Sequence, residues 1–131
     1  MSAKPVSEKL LIKKGYSVLV VDEPEGYRDT LGALPEEVRI HVNPGEPVDL
    51  VQIFVTDMKG LKEKLPTIKQ GLKEDGLIWV SYPKAASKLA RDLGVDVNRD
   101  TIWRYAEGLG YRAVAMVSID ETWSALRLRP V

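Results

Sequence analysis

The chain has 131 residues, no cysteine, and nineteen basic against nineteen acidic side chains. Balanced charge gives no overall positive field to draw in nucleic acid or anionic lipid. Without cysteine there can be no disulfide, thiolate nucleophile or thiolate metal site, a composition that suits the cytoplasm.

A hydrophobic fraction of 44% is ordinary for a globular protein, so one α/β domain over residues 1–131 is expected. Met1-Ser2-Ala3-Lys4-Pro5 lacks the apolar run of a signal peptide, and no stretch approaches the roughly 18 apolar residues of a membrane span. A membrane partner is therefore not expected.

Ser7 is placed to cap a short helix over 8–13, with Leu10 and Leu11 inward and Gly15 in a left-handed position. Ser17-Val18-Leu19-Val20-Val21 is a continuous apolar, β-branched run, the pattern of a strand covered on both faces. Asp22-Glu23-Pro24-Glu25-Gly26 breaks it, and a helix from Tyr27 to Leu34 is expected to stop at Pro35. Val38, Ile40 and Val42 alternate with Arg39 and His41, so the second strand has one wet face and belongs at a sheet edge.

A third strand spans Leu50 to Val55, after which Thr56 or Asp57 caps a helix. Leu61, Leu65, Ile68 and Leu72 recur at helical spacing, with lysines opposite, and Pro66 should kink or split this helix. Glu74-Asp75-Gly76 turns the chain into the fourth strand, Leu77 to Ser81. A helix over 84–93 follows, ending at Gly94, and Asn98 or Asp100 caps another running through Trp103 to Leu109, with Ile102 and Ala106 inward. The fifth strand, Ala113 to Ser118, and the sixth, Trp123 to Arg129, are separated by so few residues that they form an antiparallel hairpin.

Strands alternating with helices and closing on a hairpin describe a three-layer α/β sheet. That ending looks like the Rossmann-like class I methyltransferases. Ile12-Lys13-Lys14-Gly15, Val48-Asp49-Leu50-Val51 and Leu72-Lys73-Glu74-Asp75-Gly76-Leu77-Ile78 also resemble that superfamily. The resemblance implies a sheet of about six strands in the order 2-1-3-4-6-5, with the last strand antiparallel and one helix-strand unit missing. A closer resemblance is to a family of small bacterial proteins known only as a domain of unknown function. It rests on Pro24-Glu25-Gly26-Tyr27, Trp79-Val80-Ser81-Tyr82-Pro83-Lys84, Asn98-Arg99-Asp100 with Trp103, and Ile119-Asp120-Glu121-Thr122-Trp123-Ser124-Ala125-Leu126-Arg127.

In open parallel sheets ligands bind beyond the carboxyl ends of the strands, where the strand order reverses. The candidates for that rim are Asp22, Glu23, Glu25, Gly26 and Tyr27 after the first strand, with Asp57 after the third. Ser81, Tyr82 and Lys84 follow the fourth; Asn98, Arg99 and Asp100 open a helix, and Asp120 and Trp123 belong to the hairpin. Trp79 and Trp103 read as packing, whereas Trp123 reads as a ligand or partner platform. Lys84 and Lys88 are expected to share one helix face.

The first rim loop has one glycine, a proline and three carboxylates where S-adenosylmethionine binding would use several glycines. No carboxylate directly ends the second strand, no phosphate loop is present, and the single histidine leaves no Ser-His-Asp set to weigh. No metal site and no particular cofactor is assigned. The expectation is a non-catalytic binding or regulatory module on a methyltransferase-like scaffold, its rim kept for a small molecule or a protein partner. The alternative is a small enzyme or an S-adenosylmethionine- or nucleotide-binding protein using the same rim. Nucleic acid is the least favoured partner. An exposed second-strand edge invites a homodimer.

Overall fold

The computed structural model describes residues 4–131; Met1, Ser2 and Ala3 of the leader reading lie outside the described residues. Among the described residues no helix is long and apolar enough to cross a membrane.

Six strands form one sheet: β1 (Ser17–Val21), β2 (Arg39–His41), β3 (Val48–Phe54), β4 (Leu72–Pro83), β5 (Tyr111–Ser118) and β6 (Trp123–Pro130). Their order is β2-β1-β3-β4-β6-β5. The first four run parallel, and β6 runs antiparallel to both of its neighbours. This is the strand order, with the last strand antiparallel, that the resemblance to the class I methyltransferases implied.

The helices are α1 (Val6–Lys9), α2 (Tyr27–Leu31), α3 (Met58–Lys64), α4 (Lys88–Leu93) and α5 (Arg99–Gly108). A 3-10 helix, Leu65–Gly71, continues α3 where Pro66 removes a helical donor and splits the element. Alternation along β3 and β4 divides the core between the two faces of the sheet. Val51, Ile53, Ile78 and Val80 pack with Leu61, Leu65, Ile102 and Ala106 of α3, the 3-10 helix and α5. Leu50, Phe54 and Trp79 pack on the other side with Leu10, Tyr27 and Leu31 from the α1 and α2 side. Each such aliphatic side chain contributes about 1.5–3 kcal/mol by leaving water.

Several local readings are corrected. α1 starts and ends early, leaving Leu10 in the core but Leu11 exposed in a left-handed conformation. Gly32, with φ 81°, stops α2 before Pro35 is reached. The 84–93 helix begins only at Lys88, because Ser87 accepts a hydrogen bond from the Ala90 amide and fixes the start there. Lys84 therefore precedes that helix and does not share a face with Lys88.

β4 begins five residues earlier than expected. Its partners step from Val48↔Leu72 directly to Leu50↔Leu77, so residues 73–76 are folded out as an enlarged bulge. Gly76 is needed there: a β-carbon would overlap the Leu72 side chain and crowd the Lys73 carbonyl.

Candidate functional site

The order of the sheet reverses at β1, between β2 on one side and β3 on the other. Beyond the carboxyl ends of β1 and β3 lies a cleft of about 420 Å³, lined by Asp22, Phe54, Thr56, Asp57, Lys59, Gly60, Glu63, Lys64 and Trp123. That volume is within the range of small-molecule sites.

Its geometry follows from a helix cap. Asp57 Oδ1 accepts a hydrogen bond from the Gly60 amide at 2.7 Å, which starts α3 at the rim. The Met58 amide is held by Asp96 at 2.9 Å. Two pairs at helical i, i+4 spacing, Lys59 with Glu63 and Gly60 with Lys64, then line the cleft. Lys64 makes an ion pair with Asp22 and donates to the Phe54 carbonyl at 3.2 Å, tying α3 to the ends of β1 and β3. Asp22 reaches this position in a left-handed conformation, φ 59°.

Of the residues singled out from sequence, Asp22, Asp57 and Trp123 line this cleft. Trp123 is only 7% exposed, and its ring packs edge-to-face on Phe54 at 5.0 Å. It is a wall rather than an open platform. Trp103, read as packing, is instead 41% exposed on the outer side of α5.

Glu23 lies beside the cleft and is taken up by Arg28, whose guanidinium donates to both its carboxylate oxygens at 2.9 and 3.0 Å. Glu25 and Gly26 are exposed on the same loop; Gly26, at φ 79°, has open space where a β-carbon would stand.

Ser81 and Tyr27 sit beneath the rim. The Tyr27 hydroxyl donates to Gln52 Oε1, and Gln52 Nε2 donates to Ser81 Oγ at 2.9 Å, a chain of polar groups closed inside the core. Burial pushes the Tyr27 phenol well above its ordinary value, only partly offset by the bond to Gln52. Successive side chains of a strand face opposite sides, so Tyr82 enters the other layer, donates to Met116 Sδ at 3.1 Å and is also raised by burial.

Lys84 belongs to the hairpin. Its amide donates to the Thr122 carbonyl and its Nζ to Ser118 Oγ, both at 2.7 Å. Asp120 accepts from the Thr122 and Trp123 amides at 2.8 Å and shapes the β5–β6 turn. Asn98 caps α5 in a reciprocal box with Thr101, and Arg99 pairs with its neighbour Asp100 at 3.3 Å. The expected rim set thus divides into a cleft, a buried network, a hairpin and a helix cap.

Lys59, Glu63 and Lys64 were not on that set because a lysine-rich helix face reads as solvated. The available signal was the Asp57 cap, which commits the first two turns of α3 to the rim.

No protein-family model matches the sequence, and no curated protein matches it. Solved structures do match by fold. Ribosomal protein L11 methylase from Lactobacillus delbrueckii subsp. bulgaricus superposes with a TM-score of 0.59 at 14% identity, over 95% of this chain and 74% of its own. A SAM-dependent methyltransferase from Thiobacillus denitrificans in complex with S-adenosyl-L-homocysteine gives 0.58 at 14%, over 96% and 89%. The DhpI-SAM-HEP complex gives 0.60 at 9%, over 95% and 84%. These matches overturn the expectation of a non-catalytic module in favour of its alternative: two of the three structures sharing the fold over nearly the whole chain are named a methylase and a methyltransferase, and two are complexes with SAM or S-adenosyl-L-homocysteine.

Proposed function

We propose that this chain is a small enzyme that binds S-adenosylmethionine at the carboxyl-end cleft. The observation that carries the reading is the cleft's place and donor set: it opens at the switch point of a sheet with methyltransferase strand order, and it is lined by charges of both signs.

That donor set fits a zwitterionic sulfonium ligand. Asp22, Asp57 and Glu63 oppose positive charge, Lys59 and Lys64 oppose a carboxylate, and Phe54 with Trp123 supplies an apolar wall. When bound, the ligand supplies an electrophilic methyl group. The chain's own part is to position and to exclude water. The Lys64 bridge to Asp22 holds the lip of the β1 loop against α3, and the Trp123–Phe54 stack closes the floor. Of the three cleft carboxylates, Asp22 is tied to Lys64 and Asp57 to the helix cap, so Glu63 is the one free to take a proton from an acceptor.

The loop differs from a glycine-rich cofactor loop. Pro24 offers no amide, and Gly26 alone gives unhindered backbone approach, so side chains of α3 carry binding that glycines carry elsewhere. The same reading keeps residues 1–131 as one α/β domain and keeps the resemblance to the small bacterial family.

The test is isothermal titration of the full chain with S-adenosylmethionine and S-adenosylhomocysteine. Micromolar binding, weakened by about tenfold or more in Lys59→Glu/Lys64→Glu with an unchanged fold by circular dichroism, is the expected result. Absence of heat at millimolar ligand, or equal affinity in the variant, overturns the reading.

A further inference from the structure

A cavity larger than the carboxyl-end cleft lies at the opposite end of the sheet. It measures about 640 Å³ and opens between the bulge at residues 73–76 and the end of β6. Its walls are Leu72, Leu77, Ile78 and Leu128, and its cations are Lys69, Lys73, Arg127 and Arg129. Among the described residues Glu74 and Asp75 are the only carboxylates on its lining, so it is net positive in a chain of zero net charge.

What holds these cations is unusual. The Arg127 guanidinium lies over the Trp79 ring, 6.0 Å from its centroid, and Lys69 Nζ lies 4.8 Å from the centroid of Tyr111. Rings support both charges without neutralising either. Lys73 pairs with Asp49 at 3.1 Å, but among the described residues no carboxylate forms an ion pair with Lys69, Arg127 or Arg129. Arg129 also stands directly opposite Arg112 in the β5–β6 ladder, a like-charge pair that destabilises the hairpin unless an anion lies nearby.

The wall facing them is fixed at a conformational cost. Asp75 is held at φ 65°, and beside it the Leu72 side chain fills the space where a β-carbon of residue 76 would stand. A non-glycine residue in that region is strained and persists only where its surroundings hold it.

We propose that this cavity is a second ligand site, distinct from the carboxyl-end cleft, that takes a phosphorylated small molecule with a flat apolar body, a nucleotide being the class it fits. Phosphate oxygens meet the planar guanidinium forks of Arg127 and Arg129, two residues apart on one face of β6. The base lies against Leu77, half-buried on the same side of the sheet as Trp79, an apolar surface that would not hold a bare phosphate.

The experiment titrates the full chain with ATP, inorganic triphosphate and adenosine, each in saturating S-adenosylhomocysteine so that the cleft is blocked. ATP is expected to bind more tightly than either fragment. Arg129→Glu is expected to weaken it by about tenfold or more. Arg127→Gln, which also disturbs the contact with Trp79, is expected to weaken ATP as well, and Arg104→Ala, exposed on α5 and outside the cavity lining, leaves affinity unchanged. No ATP binding in the wild type, equal binding in Arg129→Glu, or triphosphate binding as tightly as ATP overturns the proposal. If S-adenosylhomocysteine itself fails to bind, the cleft reading falls, yet the effect of Arg129→Glu on ATP still decides this one.

Discussion

The two ends of the sheet solve the problem of placing charge beside a cavity in different ways. At the carboxyl end the charges are matched: Asp22 with Lys64, Glu23 with Arg28, and Asp57 spent on a helix cap. At the amino end cations rest on aromatic faces, and the strand ladder sets arginine against arginine. A matched set suits a ligand carrying both signs; an unmatched set suits an anion. Trp79 lies between the two, buried in the core, donating to the Leu10 carbonyl at 3.0 Å while its ring carries Arg127.

Breaking that shared element gives the largest effect. Trp79→Ala should cost about 3–5 kcal/mol, measured by denaturant unfolding, and should weaken ligand binding at both ends together. Gln52→Leu separates them. It leaves the Tyr27 and Ser81 hydroxyls unpartnered in the core, so about 1–3 kcal/mol should be lost, with ATP affinity at the amino end unchanged relative to the folded fraction.

The same network predicts a pH response. Burial raises the Tyr27 phenol, so the folded chain keeps that proton to higher pH than the unfolded chain does. Its contribution is fully present below the unfolded value of about 10 and is lost as pH rises through the folded one. Denaturant midpoints should therefore fall on going above about pH 10, and Tyr27→Phe should shallow the fall.

Asp57→Ala removes the α3 cap and should cost about 1 kcal/mol, with S-adenosylhomocysteine affinity reduced and ATP affinity preserved. Glu23→Gln should be the mildest change. Its pair with Arg28 is exposed, so at most about 0.5 kcal/mol is expected by thermal melts. A larger loss would show that the loop geometry depends on this bridge.

Much of the scaffold was legible because periodicity states it directly. The unbroken apolar run of β1, the wet alternation at β2, Pro66 within a helical pattern and the short spacing of β5 and β6 each have a single good structural solution. The site was legible only in part. The loop after β1 and the Asp57 cap do meet at one cleft, but Ser81 and Tyr82 looked like rim residues and belong to opposite faces of the core. Trp103 and Trp123 exchanged their expected environments, because an aromatic side chain reads the same in sequence whether its neighbour is water or Phe54.

By itself, then, the sequence determined the kind and succession of the strands and the antiparallel hairpin that ends them, since hydrophobic spacing and loop length act within a few residues of each position; the strand order came from the resemblance. The tertiary structure alone decided which charges meet. That Lys64 reaches Asp22, that Arg127 lies on Trp79, and that residues 73–76 fold out to leave a cavity all depend on residues brought together from separate elements. Electrostatic partnership is set by distance in space, and no local pattern in the chain records it.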